Sequence, residues 1–185
     1  MSETSDEDLM RAVREGNVAP LGVLFERHHA RVHALCFRLT RRVDVADDLA
    51  QETMLRVLRY ASSYRRESAF TTWLYRLTYN VCQDHWRKTR HDEQTTDLSE
   101  VDGVISRVGD DPIDERHVLL EEAMQRLAPE RRAVLVLSRY NDLGYDDIAR
   151  VLECTPAAAR VRAHRALNEL REIYRELERS QHDVR

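Results

Sequence analysis

Residues that interrupt helices are scarce in this sequence. Only five glycines and four prolines occur among its 185 residues, whereas folds built from many short strands need such residues at their turns. Apolar side chains instead recur at intervals of three and four over long stretches, which is the spacing of one face of a helix. The sequence therefore predicts an all-α protein with little room for β-strands.

Cysteines and long apolar runs are also scarce. Cys36, Cys82 and Cys154 are an odd number, are far apart and lie in apolar helical contexts, which favours buried free thiols over a disulfide framework. The longest uncharged stretch, Gly16–Phe25, is about half as long as a membrane span. No signal segment opens the chain. We therefore expect a cytoplasmic protein that does not insert into a membrane.

One group of side chains invites comparison with a metal site. His29, His33 and Cys36 are spaced so that they share a helical face. A fourth ligand is not evident, however, and Cys36 falls on the apolar stripe of its helix. No nucleophile with a neighbouring base and acid is visible either. We therefore predict no metal, no cofactor and no catalytic activity.

The formal net charge of −4 is distributed unevenly. Residues 1–10 contain four acids and no base, and residues 92–115 contain nine acids and one arginine. The rest of the chain therefore carries a net charge of +8. Because the acidic charge is confined to two segments, the remainder is basic enough to bind nucleic acid.

The helical pattern divides the chain into two halves. Helix follows helix up to about residue 90, and four more helices are predicted after residue 115, including a buried one at 130–140. Residues 91–115 are acidic and poor in large apolar side chains, as in a solvated linker, with room for a short helix at 98–108. We expect two small helical domains, 1–90 and 116–185, joined by a flexible acidic linker at 91–115.

The last two predicted helices, 145–152 and 156–177, have the dimensions of a helix-turn-helix. The corner between them is Glu153, Cys154 and Thr155, where a positive φ would cost Glu153 about 1 kcal/mol. Small side chains would let the second helix approach a groove closely, namely Ala157, Ala158 and Ala159. Apolar contacts between the two helices are expected from Ile148, Ala149, Leu152, Val161 and Leu167. Groups suited to guanine edges and phosphates follow at Arg160, Arg162, His164 and Arg165.

Seven of the twelve aromatic residues lie between positions 60 and 86, interleaved with basic residues. Flat rings beside cations suit unstacked bases and their backbone, so the segment predicts binding of single-stranded DNA. Phe70, Trp73 and Leu77 share a helical face, and we expect about half of the seven rings to pack in the core instead. Asn80 is a better candidate for reading a flipped base, because its amide can bond to a base edge.

Together these segments resemble the extracytoplasmic-function (ECF) group of sigma factors, from about Leu21 to Tyr174. Residues 45–53, VADDLAQET, are similar to the helix of sigma region 2 that binds core RNA polymerase. By itself this helix is an ordinary amphipathic helix with an acidic face. The resemblance implies that the polymerase clamp contacts Asp47, Asp48, Gln51, Glu52 and Leu55.

The resemblance also assigns two DNA elements. Residues 64–77 with Tyr79 and Asn80 resemble the segment that melts and reads the minus-ten element, which implies contacts from Tyr64, Arg65, Phe70, Trp73, Arg76, Asn80, Arg87 and Lys88. Residues 127–132, 145–149 and 164–166 are similar to sigma region 4, which reads the minus-thirty-five duplex. The implied contacts there are Arg160, Val161, Arg162, His164 and Arg165. The AAARV sequence at 157–161 departs from the family's usual small polar pattern, which leaves the sequence preference open.

The function implied is promoter-specific transcription initiation. The protein would bind the clamp and flap of core RNA polymerase, read the minus-ten element as a single strand and the minus-thirty-five element as duplex, and be controlled by an anti-sigma factor. Two other functions remain open. A dimeric helix-turn-helix regulator would bind symmetric operators without polymerase, and a protein-interaction module would contact no DNA.

Overall fold

The computed structural model describes residues 4–95, 115–141 and 143–182. All regular secondary structure in these ranges is helical, which confirms the predicted all-α class. The chain separates into two compact units, Met1–Ile105 and Ser106–Arg185. Most of the predicted acidic linker, including its short helix at 98–108, lies outside the described residues. Within them, no helix combines the length and apolar character that crossing a bilayer requires.

The described part of the first unit, residues 4–95, contains four α-helices. These are α1 (Asp6–Arg14), α2 (Pro20–Thr40), α3 (Val43–Arg59) and α4 (Phe70–Thr95), with a short 3-10 helix at Ala61–Ser63 between the last two. Ser5 caps α1 by accepting a hydrogen bond from the Asp8 amide at 3.2 Å. α4 continues to Thr95, beyond the end near Lys88 that the sequence pattern predicts, because neither glycine nor proline occurs between residues 89 and 95.

The core of the first unit lies between α2, α3 and α4. Its fully buried apolar side chains include Val32, Leu35, Leu39, Ala46, Ala50 and Leu74. Cys36 and Cys82 are buried free thiols, as predicted. The hydrogen bond between these two thiols and their burial raise the pKa of Cys82 well above its ordinary value. Cys82 therefore contributes to packing as a neutral thiol, beside the buried Cys36.

The second unit contains α5 (Glu115–Arg126), α6 (Pro129–Tyr140), α7 (Tyr145–Val151) and α8 (Pro156–His182). The run at 133–137 in α6 is buried throughout, as predicted. Arg132 is buried and donates to the carbonyl oxygens of Met124, Gln125 and Leu127 at 2.9, 2.7 and 3.2 Å. Its guanidinium thereby satisfies carbonyls at the end of α5 that have no partner within the helix.

The corner between α7 and α8 is tight. Glu153 has a φ of 50°, which confirms the positive backbone angle that the sequence analysis considered there. The Cys154 amide donates to the Ala149 carbonyl at 2.9 Å, and Thr155 caps α8 by accepting from the Ala158 amide at 3.1 Å. Cys154 lies in this corner, as predicted, but it is half-buried, so the expectation that all three thiols are buried holds only for Cys36 and Cys82.

Candidate functional site

One side of α3 is packed into the core and the opposite side is an exposed polar surface. Ala46, Leu49, Ala50 and Thr53 are buried. Four residues of α3 are exposed on the opposite side, namely Asp47, Asp48, Gln51 and Leu55. Because positions 47, 51 and 55 are four residues apart, these side chains form one stripe, which we call the α3 surface. Leu55 is 57% exposed and is its apolar centre.

Two acids of the α3 surface have partners within the first unit. Asp47 lies 3.1 Å from Nε2 of His33 on α2. Glu52 is half-buried and accepts from Arg56 at 2.8 Å, one turn further along the helix. All five candidate residues lie on one side of α3, as their spacing predicts. Their basic partners could not be predicted from this spacing, because His33 lies on another helix and Arg56 on the next turn.

Three of the predicted minus-ten residues lie in the core instead of on the surface. Tyr64 and Phe70 are 1% exposed and Trp73 is 6% exposed. Their rings pack together, with centroids 5.3 Å apart for Tyr64 and Trp73 and 5.9 Å apart for Phe70 and Trp73. A ring enclosed in this way cannot stack on a base. The prediction that Tyr64, Phe70 and Trp73 contact DNA directly therefore disagrees with the structure, in which all three rings lie in the core.

The other aromatic residues of this segment follow the same trend. Tyr75 and Tyr79 are 5% exposed, and Trp86 is half-buried. Tyr60 is the one exposed ring among the seven, at 44%. Five of the seven rings therefore belong to the core, more than the half that the sequence analysis expected. Hydrophobic burial outweighs stacking potential wherever a ring falls on the inner face of a helix.

Polar residues remain on the outer side of α4. Arg76 and Asn80 are half-buried, whereas Arg87 and Lys88 are exposed. Arg76, Asn80 and Arg87 lie four and seven residues apart and share one face, which we call the α4 surface. Arg87 donates to Asp84 at 2.5 Å. Arg65 is exposed in the segment before α4. The α4 surface and this segment together contain the polar residues of the predicted minus-ten set except Lys88, which is exposed beside that surface.

His85 lies on the side of α4 away from the α4 surface. Burial lowers the pKa of His85 below its ordinary value, and the neighbouring positive charges of Arg42 and Lys88 lower it further, against the opposing charge of Asp44.

The first turns of α8 separate buried alanines from exposed functional side chains. Ala159, Ala163 and Ala166 are buried against the rest of the unit. All five predicted minus-thirty-five residues are exposed, namely Arg160, Val161, Arg162, His164 and Arg165. Val161 is 48% exposed, so the expectation that it packs between α7 and α8 is wrong. Ala159 faces inward instead of toward a groove, because its position continues the buried stripe.

Two side chains that sequence reasoning missed restrain the exposed face of α8. The guanidinium of Arg160 lies 5.2 Å from the ring centroid of Tyr145, in a cation-π contact. Asn168 lies 3.1 Å from Nε2 of His164. The spacing of four between His164 and Asn168 is a signal that the sequence contained. The pairing with Tyr145 depends on the α7–α8 corner and has no local signal.

Within the described residues, no group of three histidine, cysteine or acidic side chains is arranged to hold a metal ion. The group at His29, His33 and Cys36 is divided by burial. Cys36 is fully buried, whereas the His29 ring packs against Phe25 with centroids 4.6 Å apart.

Two family models match the chain, one in each unit. Sigma-70 region 2 matches residues 24–91, which include α3 and most of α4. Sigma-70 region 4 matches residues 117–170, which include the helix-turn-helix. The matches therefore fall on the helices that carry the three exposed surfaces described above.

Whole-length relatives agree with these matches. The RNA polymerase sigma factor CarQ of Myxococcus xanthus is 34% identical over 171 residues, covering 91% of this chain and 97% of that protein. The ECF RNA polymerase sigma factor SigM of Mycobacterium tuberculosis is 32% identical over 164 residues, covering 89% and 82%. Both alignments span the two units.

Solved structures show the same fold. The sigma factor RpoE from Bartonella quintana, in complex with the anti-sigma factor NepR, superposes with a TM-score of 0.69 at 21% identity, covering 83% of this chain and 96% of that chain. CnrH, in complex with the cytosolic domain of CnrY, gives a TM-score of 0.66 at 19% identity, covering 92% and 97%. The matches in sequence and fold lead to one conclusion: this chain belongs to the extracytoplasmic-function group of RNA polymerase sigma factors.

Proposed function

We propose that this sigma factor uses its three exposed surfaces for three separate contacts. The α3 surface binds core RNA polymerase, the α4 surface reads the minus-ten element as a single strand, and the start of α8 reads the minus-thirty-five element as duplex. The supporting observation is the division of each helix into a buried stripe and an exposed stripe. Most residues implied by the family motifs are exposed; Glu52, Arg76 and Asn80 are half-buried, and the three aromatic residues are buried.

The α3 surface has the composition of a protein interface. Asp47, Asp48 and Gln51 surround the exposed Leu55, so that an apolar centre is bordered by acidic and polar groups. Such a surface suits a basic helical partner, and the clamp of the polymerase is the proposed one. Long-range attraction between opposite charges would speed the encounter, and burial of Leu55 would prolong the contact.

The α4 surface suits unpaired DNA through its polar groups. The Asn80 amide can donate to and accept from a base edge. Arg65, Arg76, Arg87 and Lys88 are placed to contact the phosphates around such a base. Capture of bases that leave the stack stabilises the melted duplex over the closed one, so opening needs no chemical step by the sigma factor. The protein therefore acts without catalysis of its own.

The start of α8 suits a major groove. Arg160 and Arg165 can each form paired hydrogen bonds with guanine or bind phosphate, and Val161 offers an apolar contact to a thymine methyl group. Arg162 and His164 extend the same exposed face. We assign base reading to Arg160, Val161, His164 and Arg165, with Arg162 as a phosphate contact.

Binding to the polymerase links the DNA contacts of the two units. With the clamp binding the first unit and the flap binding the second, two weak DNA contacts act together, and the second contact becomes intramolecular. The acidic segment between the units would discourage early entry of the DNA strand into the polymerase channel by charge repulsion. Because core polymerase works in the cytoplasm, we propose that this protein does too.

Control by an anti-sigma factor is the second part of the proposal. An apolar cleft of about 280 Å³ lies between α2, α3 and α4, lined in part by Phe25, Leu55 and Leu58. These three side chains are 40%, 57% and 47% exposed. Because Leu55 belongs to both the cleft and the α3 surface, a partner that covers the cleft would exclude polymerase. RpoE of Bartonella quintana, whose fold is similar, was solved in complex with the anti-sigma factor NepR.

Transcription with core polymerase tests the proposal. Purified protein is added to core enzyme lacking any sigma factor, and run-off products are sought across fragments of the source genome. Defined start sites with melted DNA upstream are expected. Operator binding without polymerase, at symmetric half-sites, would instead favour a dimeric regulator. Failure to bind both core enzyme and DNA would favour a protein-interaction module.

Charge reversal tests the polymerase contact separately. Asp48→Arg should abolish binding to core enzyme in a pull-down, because it puts a cation at the centre of the acidic surface. Glu15→Arg changes an exposed acid at the end of α1 and should bind as well as wild type. Equal binding by both variants would remove the α3 surface from the proposal.

A further inference from the structure

The acidic helix α1 is anchored firmly to the first unit. Asp6 accepts from Arg27 at 2.8 Å and pairs with Nε2 of the buried His28 at 2.6 Å. Met10 and Val13 are buried on the inner side of α1. Both ends of this short helix are therefore fixed to α2, although residues 1–10 look from their composition like a solvated acidic tail.

The segment before α4 is fixed from the inside. We call residues 64–69 the reading loop, because the proposed minus-ten function depends on it. The buried Tyr64 lies at its start, and the Tyr64 hydroxyl donates to the Ser68 carbonyl at 3.4 Å. Arg65, Arg66 and Glu67 project outward and are exposed. The side-chain hydroxyl of Tyr64 thus joins the two ends of the loop, while the tip of the loop faces solvent.

α1 contacts this loop from the outside. The carboxylate of Glu7 accepts a hydrogen bond from the Phe70 amide at 3.3 Å, where the loop ends and α4 begins. Asp8, one residue later, lies 3.8 Å from Arg66 in the loop. Burial raises the pKa of Tyr64, and the negative charge of Glu7 raises it further, which places Glu7 close to the start of the loop as well.

We infer that α1 is a clasp for the reading loop and that Glu7 is its positioning residue. The inference rests on the proposed reading of the minus-ten element by this segment. Glu7 satisfies the Phe70 amide, one of the donors at the helix start that have no partner within the helix. By bonding to it, Glu7 fixes the direction in which the loop enters α4. Asp8 holds Arg66 on the α1 side, so the loop is ordered before DNA arrives.

The clasp explains a feature that neither DNA nor polymerase binding requires. Three consecutive acids stand at the start of α1, and each contacts a different part of the first unit: Asp6 contacts α2, Glu7 the start of α4, and Asp8 the loop. Acids this close to a DNA-binding surface repel phosphate. These acids are nevertheless useful if they order the reading loop, because the loop then has its binding conformation before DNA arrives.

Substitution of Glu7 in the full chain, assembled with core polymerase, tests the clasp. The probe is a promoter fragment that the wild-type holoenzyme transcribes, prepared with its minus-ten segment unpaired. Glu7→Ala should weaken binding of this probe about threefold to tenfold, the range expected for one lost hydrogen bond. Glu7→Gln keeps an acceptor oxygen and should restore most of the affinity. Glu15→Ala, which changes an exposed acid immediately after α1, is the matched control.

A second measurement separates positioning from general destabilisation. Amide hydrogen exchange of the holoenzyme should become faster in residues 64–70 of Glu7→Ala and stay unchanged in the buried parts of α2. Association with core enzyme should also stay unchanged. Equal probe binding by Glu7→Ala and wild type, or unchanged exchange in the loop, would overturn the clasp alone. If the wild-type holoenzyme itself fails to bind the unpaired probe, the proposed function is wrong and the clasp is overturned with it.

Discussion

The guanidinium of Arg56 lies 2.7 Å from the carboxylate of Asp84 and thereby joins α3 to α4. Arg56 also donates to Glu52 at 2.8 Å, and Asp84 accepts from Arg87 at 2.5 Å. Burial lowers the pKa of Arg56, but its hydrogen bonds with Glu52 and Asp84 outweigh this effect and raise the pKa. Four alternating charges therefore connect the α3 surface to the α4 surface.

Loss of Arg56 should destabilise the first unit. In Arg56→Ala, two half-buried carboxylates lose their shared donor and are left with like charges near each other. We expect the free energy of unfolding to fall by about 1–2 kcal/mol, the effect of hydrogen bonds to a partly buried charged group. Urea unfolding followed by circular dichroism measures this value.

Arg42→Ala is the matched control for Arg56. Arg42 also pairs with a carboxylate, Asp44, at 2.6 Å, but both side chains are largely exposed. Exposed pairs contribute little because water and salt screen them. The Arg42 variant should therefore unfold close to wild type. If both variants lost a similar free energy of unfolding, the Arg56 link between α3 and α4 would stabilise the unit no more than an exposed ion pair does.

The helices and their buried faces could be predicted from the sequence. Periodicity located α2, α3 and α6, and proline at position 129 marked the start of α6, because these signals are local. Exposure of Asp48 and Arg165 also followed from their positions on amphipathic helices. A residue's side of a helix depends mainly on its immediate neighbours, which the sequence shows directly.

Tertiary contacts could not be predicted. The roles of Arg56, Arg132 and Tyr145 depend on residues brought close by folding, such as Asp84 on α4 for Arg56. The burial of the aromatic rings could not be predicted either, because a ring such as that of Tyr64 or Trp73 can stack on a base or fill the core. Only the packing of α4 determines whether a ring lies in the core or faces solvent.

The α7–α8 corner offers a stabilising substitution. Glu153 adopts a φ of 50°, a conformation that costs a residue with a side chain about 1 kcal/mol and glycine almost nothing. Glu153→Gly should raise the free energy of unfolding of the second unit by roughly 0.5–1 kcal/mol, partly offset by greater freedom of the unfolded chain. Thermal unfolding provides the measurement. Glu153→Ala keeps the Cβ atom and should give no such gain. An equal gain from alanine would assign the effect to charge instead of backbone strain.

The anchor of α1 should weaken in acid. Burial raises the pKa of Asp6, but hydrogen bonds from Arg27 and His28 outweigh it, so the folded-state pKa lies below the ordinary value. The stabilisation is therefore complete above the unfolded-state pKa, about 3.9, and is lost as the pH falls through the lower folded-state value. Asp6→Asn should be less stable than wild type near neutral pH, and the difference should shrink below about pH 4. A difference that stays constant to low pH would contradict this linkage.

Asn80 should be needed for DNA opening and not for assembly. Asn80→Ala removes the amide that bonds to a flipped base, so the closed complex should form normally while the melted state is lost. Permanganate reactivity of unpaired thymines in the minus-ten region measures the melted fraction, which should fall about fivefold or more for one well-placed amide. Gln83→Ala removes an exposed amide from the next turn of α4 and is the control. Unaltered reactivity in the Asn80 variant would remove this residue from base capture.

Tyr145 should restrain Arg160 on the exposed face of α8. The ring lies 5.2 Å from the guanidinium carbon, and a cation-π contact of this kind at a partly exposed site contributes about 0.5–1 kcal/mol. Tyr145→Leu keeps an apolar side chain but removes the ring, and should weaken binding to minus-thirty-five duplex by the holoenzyme about twofold to fivefold. Tyr145→Phe retains the ring and should bind like wild type. In an Arg160→Ala background, Tyr145→Leu should have no further effect, because the side chain that it restrains is gone. An independent loss in that double variant would show that Tyr145 supports the helix-turn-helix in general and does not act through Arg160.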